Sequence, residues 1–144
     1  VKQVISSGGL LYRVKNNTLY WLLVKHQKAG HWSFPKGHVG DNIEKESNQE
    51  AALREVFEEG GCKGKIIYHE PFTNSYNLYE DAEFVRKTVL YFLMEYLSGS
   101  PELHDHEISE AGFFTYEDAL NLLTFETDKN ILKEGNAFVL NTRK

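Results

Sequence analysis

Val, Ile, Leu, Tyr and Trp crowd residues 3–14 and 18–26, and the polar Lys15-Asn16-Asn17 separates the two runs. This pattern predicts a strand, a turn and a second strand. His31 to Phe34 reads as a short extended piece, because Pro35 disfavours helix at the residue before it. Residues 36–46 are polar, hold Gly37 and Gly40, and read as a loop. Ser47 then opens a helix. Ser47 and Glu50 form an S-x-x-E capping box, in which each side chain satisfies a free amide of the first turn. Ala51, Ala52, Leu53, Val56 and Phe57 continue the helix, and Gly60-Gly61 ends it with a residue free to take the left-handed cap. Strands are expected near 64–70, 72–79, 84–97 and 108–114, and helices over Tyr116 to Leu123 and Asp128 to Phe138. Strands, helix, strands, helices is a mixed α/β order and disfavours the regular βαβ series of a Rossmann fold. No repeat, low-complexity tract or linker interrupts it, so residues 1–144 are expected to form a single domain.

Composition narrows the class. With 41% hydrophobic and 26% charged residues, the 144-residue chain has ordinary globular usage and can bury a core without disulfide or metal staples. The lone Cys62 excludes an intrachain disulfide framework and fits a reducing compartment. No apolar run reaches the roughly 18 residues of a membrane span, and VKQVISSGGL lacks signal-peptide architecture. The expectation is a soluble cytoplasmic protein. A net charge of −5 argues against a general nucleic-acid or anionic-membrane surface.

The chemistry concentrates in Arg54-Glu55-Val56-Phe57-Glu58-Glu59. On a helix Glu55, Glu58 and Glu59 fall within an arc of roughly 100°. Ala52, Leu53, Val56 and Phe57 are assigned to the opposing, core-facing side. Like charges three and four residues apart repel by about 0.2–0.5 kcal/mol per pair on an exposed helix. Three converging carboxylates therefore ask for a cation, and hard oxygen ligands select Mg²⁺ or Mn²⁺. Arg54 lies beside Glu58 and can orient its carboxylate. Taken alone, the triplet fits a solvated acidic face better, because charge clusters are common on exposed helices.

The wider spacing decides between them. Gly40, five residues, Glu46, seven residues, then Arg54-Glu55-Val56-x-Glu58-Glu59-x-Gly61-Cys62 follows G-x5-E-x7-R-E-U-x-E-E-x-G-U, where U is aliphatic or small and apolar. In this the sequence resembles the Nudix hydrolase superfamily, with its box at residues 40–62. The resemblance implies an α/β/α sandwich with a mixed sheet. It also implies Mg²⁺-dependent hydrolysis, with Mn²⁺ able to substitute, of a nucleoside diphosphate linked to another group. By motif position Glu55, Glu58 and Glu59 are the expected metal ligands, with Glu46 and Arg54 supporting them. Phe34-Pro35-Lys36-Gly37 also resembles a family element whose glycine serves as the first box glycine. Gly37, however, lies nine residues before Glu46 rather than six. Either Gly37 or Gly40 can hold that place, with a three-residue insertion in His38 to Lys45 in the first case, and the backbone carbonyl near the metal follows from the choice. The general base is left between Glu59 and Glu107, the latter from the acidic loop Leu103-His104-Asp105-His106-Glu107. His104 and His106 are expected at the surface, since a zinc site wants more convergent ligands.

Within the superfamily, Trp32-Ser33-Phe34-Pro35-Lys36-Gly37-His38-Val39, the group Tyr76, Asn77 and Tyr79, and Arg86-Lys87-Thr88-Val89 with the later Leu122-Leu123-Thr124-Phe125 look like the diadenosine tetraphosphate hydrolases. The physical logic is consistent with such a substrate. Two adenines need flat partners, and Tyr76, Tyr79 and Phe125 offer them at about 1–3 kcal/mol per stacked base. Four phosphates need cations, and Lys36, Arg86 and Lys87 can supply them. Each tyrosine also fits a half-buried strand residue. The resemblance thus implies asymmetric cleavage of diadenosine tetraphosphate to ATP and AMP by an enzyme whose partner is a small nucleotide. The alternatives are a 5′-RNA or nucleoside triphosphate pyrophosphohydrolase and, in another class, a nucleotide-binding regulator. An inositol-pyrophosphate hydrolase would need a denser cluster of Lys and Arg. Oligomeric state is left open.

Overall fold

A computed structural model describes residues 1–40 and 45–143. Residues 41–44, within the His38 to Lys45 loop in which a three-residue insertion is expected if Gly37 is the box glycine, lie outside the described residues. Among the described residues, eight strands form one mixed sheet around β1 (Lys2–Lys15). β1 turns at Asn16 and Asn17, both at positive φ, into the antiparallel β2 (Thr18–His26). Two positive φ values in a two-residue turn match the right-handed strand twist, and Asn tolerates them. β2 continues to β3 (Trp32–Ser33), while β4 (Lys36–His38) returns to pair with Ser6 to Gly8 of β1. After α1 (Asn48–Gly60) come β5 (Cys62–Ile66), β6 (Phe72–Glu80) and β7 (Glu83–Gly99). β7 lies parallel to β1 and carries β5 and β6 antiparallel to itself. A 3₁₀ turn at Pro101–Leu103, β8 (Ile108–Thr115) paired with β2, α2 (Tyr116–Leu122) and α3 (Glu126–Thr142) complete the chain.

Alternation along the central strands makes two cores. Leu11, Leu22, Phe92 and Met94 pack under Ala52 and Val56 of α1. Their neighbours Leu10, Trp21, Leu23, Tyr91 and Leu93 face the other way, against Ala119 and Leu123 and against Ile131, Leu132 and Val139 of α3. Helices on both faces of a mixed sheet make the expected α/β/α sandwich. Among the described residues no helix is long and apolar enough to cross a membrane.

Three differences from the sequence pattern have physical causes. β4 falls inside the expected loop, because it is held by backbone pairing to β1 and has no side-chain alternation to betray it. The strand expected near 64–70 begins at Cys62 and ends at Ile66. On α1 the buried side consists of Ala51, Ala52, Glu55, Val56, Glu59 and Gly60. Phe57, assigned to the core, is instead exposed, with Lys63 Nζ 5.8 Å from its ring centroid. Carboxylates and apolar stripe are therefore contiguous rather than opposed.

Both ends of α1 are fixed. The Ser47 side chain accepts from Glu50 N at 3.1 Å, and the Glu50 carboxylate accepts from Ser47 N at 3.0 Å. Gly61 takes φ +69° and donates its N–H to Phe57 O, and a Cβ there would overlap the Ser100 carbonyl. Ser47→Ala is expected to lower unfolding free energy by about 1 kcal/mol, measured by urea denaturation at unchanged m-value.

Candidate active site

The buried side of α1 meets β4. Gly37 packs so closely on Glu55 that any Cβ at position 37 would overlap the carboxylate. Beside it the Lys36 N–H donates to Glu59 Oε1 at 3.1 Å. Gly37 is thus the glycine in contact with the box carboxylates. Gly40 takes φ +82° and donates its N–H to Glu46 Oε1 at 3.2 Å. The two glycines divide the work that sequence spacing left between them, and the backbone of Lys36 and Gly37 is the stretch lying against Glu55 and Glu59.

Arg54 organises the charges. Its Nε and Nη2 donate to the two oxygens of Glu46 at 2.7 and 3.0 Å, a bidentate pair. Nη1 donates to Glu55 Oε2 at 3.1 Å and to Glu58 Oε2 at 3.0 Å, and Nη2 also reaches the His38 carbonyl at 3.2 Å. These bonds, that to Glu46 foremost, push the guanidinium pKa up, and Glu46 is held below the usual carboxylate range by the same bond. One guanidinium does not compensate every buried acid. Burial foremost, with the nearby charge of Asp105 adding a smaller part, pushes Glu55 up to about 7 and Glu59 up to about 8.

Asp105 is the loop acid that faces the cluster. Its N–H donates to Glu58 O at 2.9 Å, and its carboxylate accepts from Glu107 N at 3.1 Å. Glu107 itself lines a cavity of about 400 Å³ with His26, Lys28, His31 and His106. The loop thus presents Asp105 to Glu55 and Glu59, while Glu107 braces it through the backbone.

Glu55, Glu58 and Glu59 are the residues that could hold a divalent cation. As they stand, no three His, Cys, Asp or Glu groups among the described residues converge on one point. Arg54 Nη1 sits between Glu55 and Glu58, and Glu59 is turned to the Lys36 N–H. The donor chemistry nonetheless fits: the ligands are hard oxygens, and two of them are buried acids short of positive charge.

A second cavity, of about 480 Å³, contains Lys36, Ser33, Tyr76, Tyr91, Phe125 and Asp128 in its wall. Trp32 N–H donates to Thr124 Oγ1 and Thr124 N–H to Trp32 O, and these bonds dock the α2–α3 connection and bring Phe125 to the cavity. Of the residues expected to bind substrate, Lys36, Tyr76 and Phe125 come together here. The others do not. Tyr79 lies at the β6–β7 hairpin end, edge-on to Phe84 and largely exposed. Arg86 donates to Asn77 across the hairpin. Lys87 stands opposite Tyr76, in the row that continues to Val89 and Tyr91, but its ammonium pairs with Glu80 at 3.9 Å.

Comparison with known proteins places this geometry in a family. The model for the NUDIX domain matches residues 3–134, nearly the whole chain. The chain belongs to the Nudix family. A rat bis(5′-nucleosyl)-tetraphosphatase (asymmetrical) is 33% identical over 142 residues, covering 96% of this chain and 93% of the relative. Among solved structures, a Caenorhabditis elegans Ap4A hydrolase binary complex superposes with a TM-score of 0.69 at 20% identity, covering 96% of this chain and 98% of the other. An Escherichia coli dihydroneopterin triphosphate pyrophosphohydrolase superposes with a TM-score of 0.66 at 17% identity, with 95% of each chain covered. In this Nudix chain two acids escaped sequence reasoning. Asp105 sits in the same loop as Glu107, and only backbone geometry separates the two. Asp128 had a legible signal, because it occupies the helical stripe that continues through Ile131, Leu132, Gly135 and Val139.

The raised carboxyl pKa values set a pH dependence for the metal-free protein. Glu55 and Glu59 bind protons more tightly folded than unfolded, so their stabilising contribution is complete below their ordinary 4.5 and is lost as pH rises through about 7 and 8. His26 and His31, with lowered values, act oppositely, but only below their ordinary 6.5. In chelator, the thermal midpoint is expected to fall between pH 6.5 and 8. Glu59→Gln, which keeps an acceptor for Lys36 N–H, should flatten the fall and raise the midpoint at pH 8. Calorimetric melts across that range check both.

A second expectation separates the two loop acids. Asp105→Asn is expected to lower kcat far more than KM, and Glu107→Gln to change kcat only slightly. Steady-state kinetics of both variants on one nucleotide substrate checks this.

Proposed function

We propose that this Nudix protein is a Mg²⁺-dependent asymmetric dinucleoside tetraphosphate hydrolase that cleaves diadenosine tetraphosphate to ATP and AMP. The observation carrying this reading is the double role of Lys36. Its backbone N–H bonds Glu59 of the box, and its side chain lines the aromatic cavity. A phosphate chain held at the carboxylates is therefore continuous, through one cation, with a place for a nucleoside. The rat relative, asymmetrical by its own name and similar over nearly all of both chains, supports the same substrate class.

Each residue then has a task. Glu55, Glu58 and Glu59 would hold Mg²⁺, or Mn²⁺ in its place. When bound, such an ion acidifies water and offsets phosphate charge as a Lewis acid. Arg54 keeps the carboxylates aimed, and Glu46 anchors Arg54 by two bonds. Asp105 takes the proton from the attacking water, with Glu59 the other carboxylate in reach of that role. The water oxygen bonds to the phosphorus next to one adenosine, and the bridging P–O bond breaks. AMP leaves on one side and ATP on the other, the latter taking the bond's electrons. Lys36 neutralises part of the chain as that charge develops, and Tyr76 and Phe125 give an adenine its flat surfaces. All box carboxylates are present, which favours an enzyme over a regulator, and the net charge of −5 does not favour a long RNA.

Incubation with Mg²⁺ and diadenosine tetraphosphate is expected to give ATP and AMP by chromatography, with no turnover in excess chelator. Two ADP would overturn the mechanism, and much faster release of pyrophosphate from 5′-triphosphate RNA would overturn the substrate. Tyr76→Ala and Phe125→Ala should each weaken kcat/KM by about 1–3 kcal/mol, and Lys36→Met should raise KM. Tyr79→Ala, away from the cavity, should change little.

A further inference from the structure

The 480 Å³ cavity holds a polar feature that the proposed chemistry does not use. Asp128, in the first turn of α3, is only 4% exposed. Among the described residues its carboxyl group has no hydrogen-bond or ion-pair partner. Tyr91, on β7, is 1% exposed and lies in the same cavity wall, and its hydroxyl likewise has no partner among the described residues. Yet among the described residues no buried side-chain nitrogen or oxygen that is fully sealed off lacks a partner. The Asp128 and Tyr91 oxygens therefore open into the cavity rather than into protein. A folded chain rarely leaves a buried carboxyl unpaired without cause, since the penalty is large. Ile131, Leu132, Gly135 and Val139 follow Asp128 on the buried side of the same helix, so an apolar residue would suit its position.

The chemistry of the pair restricts the occupant. A carboxylate accepts hydrogen bonds and repels phosphate, so the anionic part of a ligand belongs toward Lys36 and a donor-bearing neutral part toward Asp128. The aromatic faces of Tyr76 and Phe125 in the same wall call for a flat neutral part, which is a nucleobase rather than a ribose. An acceptor at Asp128 and a donor at Tyr91 together complement the edge of a 6-aminopurine, which offers an amino donor beside a ring-nitrogen acceptor.

We propose that Asp128 is a specificity-determining residue that accepts a hydrogen bond from the exocyclic amino group of an adenine seated in this cavity, with the Tyr91 hydroxyl donating to an adjacent ring nitrogen. The proposal deepens the reading of the protein as an adenine-nucleotide hydrolase and rests on it for the choice of adenine. Its consequence is selection at the base, although stacking alone tolerates any base.

The test uses binding rather than turnover. Affinities of the full chain for AMP, purine riboside 5′-monophosphate (which lacks only the amino group) and 2′-deoxy-AMP are measured by calorimetry, for the native protein and for Asp128→Ala. Loss of the amino group is expected to weaken native binding about tenfold or more, and loss of the 2′-hydroxyl to leave it nearly unchanged. In Asp128→Ala the amino-group preference should vanish. Equal native affinities for AMP and the amino-free analogue would overturn the proposal, as would a preference that survives in Asp128→Ala. A 2′-hydroxyl dependence that disappears in the variant would assign Asp128 to the ribose and overturn it too. The native analogue series decides the matter even if the variant does not fold. Diadenosine tetraphosphate hydrolysis is followed in the same native sample. Hydrolysis without amino-group selectivity removes the base site alone. Amino-dependent binding without hydrolysis removes the proposed function and keeps the base site.

Discussion

The positive charge of Arg54 is what the rest of the site depends on. Four carboxylates stand around the first box positions of α1 and the loop before it, and three of them, Glu46, Glu55 and Glu58, bond directly to its guanidinium. The bidentate pair with Glu46 fixes the plane of that guanidinium, so its remaining N–H groups point where Glu55 and Glu58 must be. A lysine could neutralise one neighbour but could not hold three in a set geometry. Glu59 lies beyond its reach and is steadied by the backbone of β4. Burial raises the pKa values of Glu55 and Glu59, and a single guanidinium does not offset it.

That local arrangement governs the fold around it. Because Glu55 and Glu59 lie on the buried side of α1, the strand they face can carry no side chain at the contact, and Gly37 provides the gap. Because β4 supplies an N–H to Glu59, it must stay on β1 at a fixed register, with Lys36 opposite Gly8. The same register puts the Lys36 side chain at the aromatic cavity, whose other walls come from β6, β7 and the start of α3. A packed α1, a short paired β4 and a docked α2–α3 connection are therefore one requirement met three times.

Much of this was legible in the sequence, and what was not has identifiable causes. The caps of α1 and the Asn16-Asn17 turn are local chemistry, and local chemistry is written in adjacent residues. The box spacing is equally local, which is why Arg54, Glu46 and the acidic triplet could be named together. The sequence pattern reads as loop at β4 because backbone pairing leaves no trace in side-chain alternation. An apolar side chain such as Phe57 reads as core, whereas the helix gives its buried side to two glutamates. The family resemblance groups Tyr79 with Tyr76 as flat side chains, yet the hairpin carries Tyr79 three residues farther from the cavity. Asp105 and Glu107 differ by two positions in a loop, and only the direction of the backbone tells them apart.

The central physical claim is that the acids gathered by Arg54 await a divalent cation. Calorimetric titration of Mg²⁺ or Mn²⁺ into the metal-free protein at pH 7, repeated in buffers of different ionisation enthalpy, tests it directly. Because Glu55 and Glu59 titrate near that pH and a bound ion requires them ionised, saturable binding should be accompanied by net proton release. Absence of saturable binding, or binding that releases no protons, would contradict the account.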